Sequence, residues 1–109
     1  MDIRIIYITA GSMEEARRIG GALVEERLAA CVNILPGMTS LYRWEGALEE
    51  GHEVVLIAKT TAVRVEALTA RVVALHSYDC PCVVVLPVQG GNPDFLQWIA
   101  GEVGTPEGE

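Results

Sequence analysis

The side chains best suited to chemistry stand close together late in the sequence. His76, Asp79, Cys80 and Cys82 place an imidazole, a carboxylate and two thiols in one short segment. Thiolates and an imidazole are ligands that Cu(I) and Zn(II) prefer, so copper or another divalent cation is a candidate ligand. The spacing is not the Cys-x-x-Cys pair of a zinc knuckle. The alternative is that His76 ends a helix and Cys82 packs at the start of a strand.

No arrangement typical of catalysis accompanies this segment. The two histidines have no partner serine at a recognisable spacing, and neither a Gly-x-Ser-x-Gly elbow nor a phosphate-binding Gly-rich loop with lysine is present. We therefore expect a protein that is not an enzyme and has no obligatory cofactor. A second group of acidic residues predicts a solvated, charged hairpin tip, and loose collection of cations there is the less favoured interpretation. This group comprises Glu45, Glu49, Glu50, His52 and Glu53.

Composition is typical of a single globular domain. The chain has 109 residues, of which 50% are hydrophobic and 21% charged, so residues 1–109 should form one domain with a modest core and a frayed tail over 104–109. The formal charge of −7 makes nucleic acid and anionic membranes poor partners. No apolar run reaches the roughly 18 residues of a membrane span, and the amino terminus does not resemble a secretion signal. We expect a cytoplasmic protein whose three cysteines are reduced.

Hydrophobic periodicity predicts the element order β-α-β-β-α-β-α. The predicted strands are residues 3–9, 31–35 with an extended continuation over 39–44, 53–60 and 82–88. The first helix should begin at a capping box of Ser12 and Glu15, the second should run from Val65 to about His76, and the third should begin at Asn92. This order predicts an α+β, ferredoxin-like split βαβ fold, with a four-stranded antiparallel sheet and helices on one face.

Two predicted strands lack the alternation of apolar and polar residues that a sheet covered on one face requires. Residues 54–57 and 83–86 are continuously apolar, which indicates burial on both faces. The helices can cover only one face, so a lone chain would expose a large apolar patch. We expect the open face to pack against another copy of the chain.

Longer strings in the sequence resemble the CutA family of divalent-cation tolerance proteins. The resemblance rests on LVEERLAACVNI at 23–34, Pro36-Gly37, SLYRWEG at 40–46 and Lys59-Thr60, with further matches at 76–79, 86–88 and 96–99. It covers about residues 3–103. It implies a ferredoxin-like fold in a tight homotrimer, loosely akin to PII-type signalling proteins, and a role in tolerance of copper and other divalent cations.

The resemblance also implies an inter-subunit ligand pocket. Its candidate residues are Cys31, Tyr42, Trp44, Lys59 and Tyr78. For Cys31 the alternative is simple burial in an apolar strand, and for the other four it is an ion pair with aromatic packing between subunits.

The metal segment departs from the family's usual pattern. The family usually has His-Pro-Tyr-Glu, then one residue, then Pro-Glu. This chain has His76-Ser77-Tyr78-Asp79-Cys80-Pro81-Cys82 in that place. Copper-linked members carry a cysteine and a second histidine where this chain has Ile8 and Leu75, so only His76 is retained from that site.

Two functions follow as hypotheses. The first is a non-catalytic trimeric metal-response protein that binds copper or another divalent cation weakly. The alternative is a PII-like regulatory or scaffold trimer that binds a small ligand, or an unidentified protein partner, at the clefts between subunits. A hydrolase of acylphosphatase type is less favoured, because the first loop, residues 10–13, lacks the arginine that such enzymes use. Seven arginines against one lysine, with prolines in turns, also predict heat resistance.

Overall fold

A computed structural model of the chain describes residues 2–105 and confirms the predicted α+β fold. Within that range the strands form one antiparallel sheet in the order β2-β3-β1-β4. The elements are β1 (Ile3–Ala10), α1 (Met13–Glu25), β2 (Cys31–Trp44), β3 (Ala47–Thr61), a 3-10 turn (Ala62–Arg64), α2 (Val65–Leu75), β4 (Val83–Pro87) and α3 (Pro93–Glu102). No helix among these residues is long and apolar enough to cross a membrane.

The predicted helix starts are confirmed by their capping hydrogen bonds. The Ser12 hydroxyl oxygen accepts from the Glu15 N–H at 3.1 Å, and the Asn92 side chain accepts from the Asp94 N–H at 3.1 Å. The Glu15 carboxylate does reach back, but it accepts from the Gly11 N–H, one residue before the serine. At the other end of the chain, the Gly104 N–H donates to the Arg27 carbonyl at 2.9 Å, which ties down the first residue of the predicted frayed tail. Residues 106–109 of that tail lie outside the described residues.

The β2–β3 hairpin is much longer than the sequence predicts. β3 begins at Ala47, so Glu49, Glu50 and His52 belong to a strand, and the prediction that they form a charged turn is wrong. The strand extends this far because the extended residues 39–44 supply a continuous line of pairing partners, such as Tyr42 opposite Glu49. The turn itself is confined to Glu45-Gly46, both at positive φ.

A β-bulge between Leu35 and Met38 decides which side of the hairpin each β2 residue faces. Leu35 pairs with Val55 and Met38 pairs with Glu53, so three steps on β2 match two on β3. The extra residue moves Met38 and the alternate residues after it onto the face that also carries Leu35. Gly37, at φ +83°, adopts the left-handed conformation within this bulge.

Helices α1 and α2 cover one face of the sheet as predicted. The main core lies between them and the strands, and its largest fully buried side chains include Ile6, Ile8, Ile19, Leu23, Leu56, Leu68 and Val72.

The second face of the sheet is covered only at one end in a single chain. There, Ile99 of α3 and Val103, which follows that helix, pack against Ile3, which alternation places on this face. The prediction that the helices cover only one face is therefore wrong for α3. Elsewhere the face remains partly open, with Val84 exposed by 49% and Leu86 by 47%. The continuous apolar strands thus place apolar side chains on both faces, as expected.

Candidate functional site

The His76 side chain is fully buried and both of its ring nitrogens contact backbone groups. It stands at the carboxyl end of α2, where Nε2 lies 2.7 Å from the Thr9 carbonyl oxygen and Nδ1 lies 3.1 Å from the Tyr78 amide nitrogen. A carbonyl only accepts and an amide N–H only donates, so the contacts select the tautomer with its proton on Nε2. A metal ion at either nitrogen would have to displace one of these bonds.

Glu15 supports the same segment from the start of α1. Its carboxylate is buried and accepts from the Gly11 N–H at 3.1 Å and from the Ser77 N–H at 2.7 Å. Burial raises the pKa of this carboxyl, but the hydrogen bonds from Ser77 and Gly11 and the nearby His76 outweigh it. The pKa of Glu15 therefore lies below its usual value, and the carboxylate stays charged.

Tyr78, two residues after His76, belongs to a second polar cluster, which lies on the other face of the sheet. Its hydroxyl donates to Glu53 Oε2 at 3.2 Å, and the Ser40 hydroxyl donates to Glu53 Oε1 at 2.7 Å. The Tyr78 hydroxyl also fits closely over Gly11, where an added Cβ would lie 3.2 Å from it. Burial, followed by the charge of Glu53 and the hydrogen bond to it, raises the pKa of Tyr78.

A cleft of about 710 Å³ opens beside this cluster, between the β2–β3 hairpin and the segment 77–82. Its position on the second face follows from the register, which places Tyr7, Thr9 and Glu53 on that side. The cleft is within the range of small-molecule sites, which is roughly 300–1,000 Å³. It is lined by Tyr7, Thr9, Met38, Ser40, Leu41, Tyr42, Trp44, Glu53, Ser77, Tyr78, Asp79, Cys80 and Cys82.

Comparison with known proteins gives one consistent result. The model of the CutA1 divalent ion tolerance protein family matches residues 4–102. The divalent-cation tolerance protein CutA of Thermus thermophilus is 50% identical over 100 residues, which are 92% of this chain and 97% of that protein. The chain belongs to the CutA1 divalent ion tolerance protein family.

Solved structures of the family agree with this assignment. The Thermus thermophilus Cut A1 structure superposes with a TM-score of 0.92 at 49% identity, over 94% of this chain and 99% of that one. A longer relative, the chloroplastic CutA 1 of Oryza sativa, is 44% identical over 87% of this chain, which matches 54% of its length. The family description names tolerance of divalent ions and no reaction.

The CutA1 chain does not bring the four predicted metal ligands together. Asp79, Cys80 and Cys82 line the cleft, whereas His76 lies outside its lining. Within residues 2–105, no group of three or more His, Cys, Asp or Glu side chains is placed to hold a metal ion. Burial raises the pKa of the Cys82 thiol and the charge of Glu53 adds to this, although a hydrogen bond with Thr9 opposes both.

The predicted pocket residues separate into two places. Tyr42, Trp44 and Tyr78 line the cleft. Lys59 and Cys31 are paired across β3 and β2 outside the cleft, and Cys31 is only partly buried. The Lys59 ammonium donates to the Asn33 side-chain oxygen and lies 5.9 Å from the centre of the Phe95 ring on α3.

Several contributors to this region were missing from the predicted sites, among them Glu15, Glu53, Tyr7 and Met38. Glu15 was identified only as a helix cap, Glu53 as part of a charged turn and the first residue of a strand, and Tyr7 as a strand residue. Met38 lay between two predicted extended segments. Glu53 carried a usable signal, because it stands two residues before Val55 and alternation therefore places it on the open face. Met38 and Tyr7 carried none, since the Tyr7 hydroxyl donates to the Met38 sulfur at 3.4 Å between strands that are not adjacent in the sheet.

Proposed function

We propose that this CutA1-family chain acts as a non-catalytic homotrimer whose working site is the cleft on the second face of the sheet. One observation carries the proposal: six of the nine residues predicted from two separate arguments line this single cleft. They are Tyr42, Trp44, Tyr78, Asp79, Cys80 and Cys82. In this view the cleft binds a small ligand as part of the response to divalent cations.

The surface of a single chain supports self-association. Val84 and Leu86 leave an apolar strip on the sheet, and the hairpin projects a further apolar side chain, Leu48, which is exposed by 72%. Burying such surface contributes roughly 25 cal/mol per Å². The resemblance to the CutA family supplies the number three, and a closed ring satisfies every interface.

The geometry of Glu53 is that of a binding group. Both carboxylate oxygens accept hydrogen bonds from neighbours, Ser40 and Tyr78, which hold the carboxylate in one orientation. A charged group fixed in a half-enclosed cleft can orient a ligand without reorganising.

Weak metal capture is a second candidate, favoured by the sulfur atoms of the cleft. Met38, Cys80 and Cys82 all line it, and soft thioether and thiolate ligands suit Cu(I). A metal ion would have to displace thiol protons, so its affinity should fall as the pH is lowered. The sulfur ligands would be Cys80 and Cys82 with Met38, without His76.

A cytoplasmic location is part of the same proposal. Cys31, Cys80 and Cys82 are all free thiols, which suits a reducing compartment. The name of the rice relative places that protein in the chloroplast.

Tryptophan fluorescence distinguishes a ligand site from simple packing between subunits. In a Trp98→Phe variant the remaining tryptophan is Trp44 at the cleft, and its quenching by acrylamide should persist in the trimer. A Trp44→Phe variant, which retains Trp98 on α3, serves as the control. Sedimentation equilibrium should give about three times 11.8 kDa. A monomer, or a trimer in which Trp44 is shielded from acrylamide, would contradict the proposal.

Metal capture is tested by isothermal titration with Cu(I), Cu(II) and Zn(II). If the second candidate holds, the Cys80→Ser/Cys82→Ser double variant loses binding while His76→Ala retains its stoichiometry. Unchanged binding by the double variant would remove metal capture at the cleft from consideration.

A further inference from the structure

The outward face of the helix layer, formed by α1 and α2, lies opposite the sheet face through which we propose that the trimer forms. Its exposure in a single chain is therefore retained in that assembly. The α2 part of this face is weakly polar, because Val73 is exposed by 50% and its exposed neighbours include Ala67, Ala70 and Ala74. A helix on the surface of a soluble protein usually turns charged residues to solvent. This part of α2 is therefore suited to a further contact.

The charges of the helix layer cancel, whereas the chain as a whole is acidic. Together, α2 and α1 with the two residues after it carry four accessible arginines and four accessible glutamates. They are Arg17, Arg18, Arg27, Arg71, Glu14, Glu25, Glu26 and Glu66. The formal charge of −7 on each chain opposes the approach of two trimers, and a face without net charge lowers that opposition.

The exposed residues of α1 are arranged with opposite charges on the two sides of Gly21. Arg17 and Arg18 stand four and three residues before it, and Val24 and Glu25 stand three and four residues after it. Within residues 2–105, neither the Arg17 guanidinium nor the Glu25 carboxylate is engaged in an ion pair or a hydrogen bond. Both groups are thus available to another molecule.

We propose that this face binds a second copy of the chain, with two α1 helices packed antiparallel about a two-fold axis at Gly21. In such a pair, a residue before the glycine lies beside the residue the same number of positions after it in the other copy. Arg17 of each copy then lies beside Glu25 of the other, so the same ion pair forms twice. The aliphatic stem of Arg18 packs on Val24. The contact joins one trimer to another and goes beyond the function proposed for the cleft.

Gly21 has no structural reason within its own chain. Its neighbour Gly20 is required by β2, because an added Cβ there would lie 3.2 Å from Val32 Cγ1. No atom lies within 4 Å of a Cβ added to Gly21, and its φ is not positive. Glycine weakens a helix interior relative to alanine. A glycine at the crossing point lets two helices approach to the short end of the usual 8–10 Å separation, which accounts for its presence.

Sedimentation over a range of protein concentrations tests the contact. The mass should be that of a trimer in dilute solution and should rise above it as the chain concentration approaches about 1 mM. Gly21→Gln should hold the mass at that of a trimer, because the new side chain blocks the approach of a second α1 and meets no atom of its own chain. A constant trimer mass for the unchanged protein, or an equal rise in the variant, would refute the proposal. A monomer in dilute solution would contradict the proposed function alone, and a rise of its mass that depends on Gly21 would still support the contact.

Charge reversal distinguishes a specific register from general repulsion between acidic chains. Arg17→Glu makes the chain more acidic and Glu25→Arg makes it less acidic. Both should weaken the association of trimers about tenfold, because each converts the two ion pairs into like-charge pairs. The Arg17→Glu/Glu25→Arg double variant restores the net charge and the opposite signs, so it should recover association. Stronger association in Glu25→Arg would show that net charge alone governs the contact and would refute the register.

An introduced thiol locates the two-fold axis. In a chain whose three native cysteines are replaced by serine, Gly21→Cys should give a disulfide between two chains on air oxidation, because the axis brings the two thiols together. Glu14→Cys is the control, since it lies seven residues away and about 10 Å along the helix, and it should remain uncrosslinked. Equal cross-linking at both positions, or none at position 21 in a folded trimer, would refute the proposed axis.

Discussion

The Glu15 carboxylate accepts a 2.7 Å hydrogen bond from the backbone N–H of Ser77, 62 positions along the chain. The bond joins the first turn of α1 to the segment that closes the cleft. The CutA family's usual proline at this position has no N–H to donate, so the serine of this chain adds a contact that the usual residue lacks. The departure from the family pattern therefore adds a hydrogen bond between two distant parts of the fold.

We expect Glu15→Gln to lower the free energy of unfolding by about 1–3 kcal/mol at neutral pH, because the amide cannot accept from both the Gly11 and Ser77 N–H groups in the same way. The lowered pKa of Glu15 means that its stabilisation is complete above the usual glutamate pKa of about 4.3. It is lost as the pH falls through the lower pKa of the folded state. Denaturant unfolding of both proteins from pH 7 downwards measures the difference, which should shrink in acid.

A Ser77→Pro variant is the matched control for this prediction. His76 is already extended, at φ −79° and ψ 145°, so a following proline fits the backbone. The variant keeps the carboxylate but removes one donor, so it should shift the acid loss of stability towards higher pH. An unchanged acid profile in both variants would show that Glu15 is not responsible.

The His76 ring should prove structural. His76→Ala leaves the Thr9 carbonyl and the Tyr78 N–H without their partner, so we expect a loss of about 2 kcal/mol or more in the free energy of unfolding. Isothermal titration should show unchanged metal stoichiometry in the folded variant. If His76→Ala instead lost one equivalent of bound metal with little loss of stability, His76 would be a metal ligand.

Local features of the fold could be predicted, whereas contacts between distant segments could not. Ser12 and Asn92 mark their helices because a cap acts on N–H groups two or three residues away. The length of β3 was missed because its acidic residues owe their strand conformation to partners on β2, not to their own preference. The true surroundings of His76 depend on the Thr9 carbonyl, a backbone group that no side-chain pattern reveals.

In the candidate site, too, local features could be predicted and contacts between distant segments could not. Tyr42, Trp44 and Tyr78 were predicted for the pocket from the family resemblance, and they do line the cleft. Lys59 was predicted with them, yet its place on β3 puts it opposite Cys31, outside the cleft. Strand register decides such cases, and it is set by the bulge and the turn rather than by local composition.

A charge on the open sheet face should prevent assembly. Val84 is 49% exposed in the single chain and lies on the apolar strip, so Val84→Asp should give aggregate or unfolded chain instead of a trimer. Val73→Asp is the control, because Val73 is equally exposed, at 50%, but lies on α2 over the other face. Sedimentation of both variants is decisive, and a well-folded Val84→Asp monomer would refute association through the sheet.

Calorimetry should show a melting temperature above ~90 °C, the usual threshold of hyperstability. The chain uses arginine far more often than lysine. In Arg71, Nε and Nη2 each donate to a Glu26 carboxylate oxygen at 2.9 Å, and this pair joins α2 to the end of α1. The trimer should add to this, so the melting temperature should rise with protein concentration. A concentration-independent transition in the mesophilic range, roughly 45–65 °C, would contradict both expectations.

Deletion of Gly37 should remove the bulge and leave the cleft in place. With one residue fewer, Met38 stands two positions after Leu35, so regular alternation keeps Met38 and Trp44 on the same face as Leu35. We expect the Ser40–Glu53 contact to be kept and Trp44 to stay in the cleft. In the Trp98→Phe background, the quenching of Trp44 by acrylamide should then match that of the undeleted chain.

Gly37→Ala is the control for the deletion, since it preserves the residue count. No atom lies within 4 Å of an added Cβ, so its cost comes from the positive φ of +83° and should be about 1–2 kcal/mol in the free energy of unfolding. Trp44 should stay in the cleft because the register is unchanged. A Trp44 response that changes in the deletion and not in the alanine variant would show that pairing with β3 does not hold the register of the hairpin.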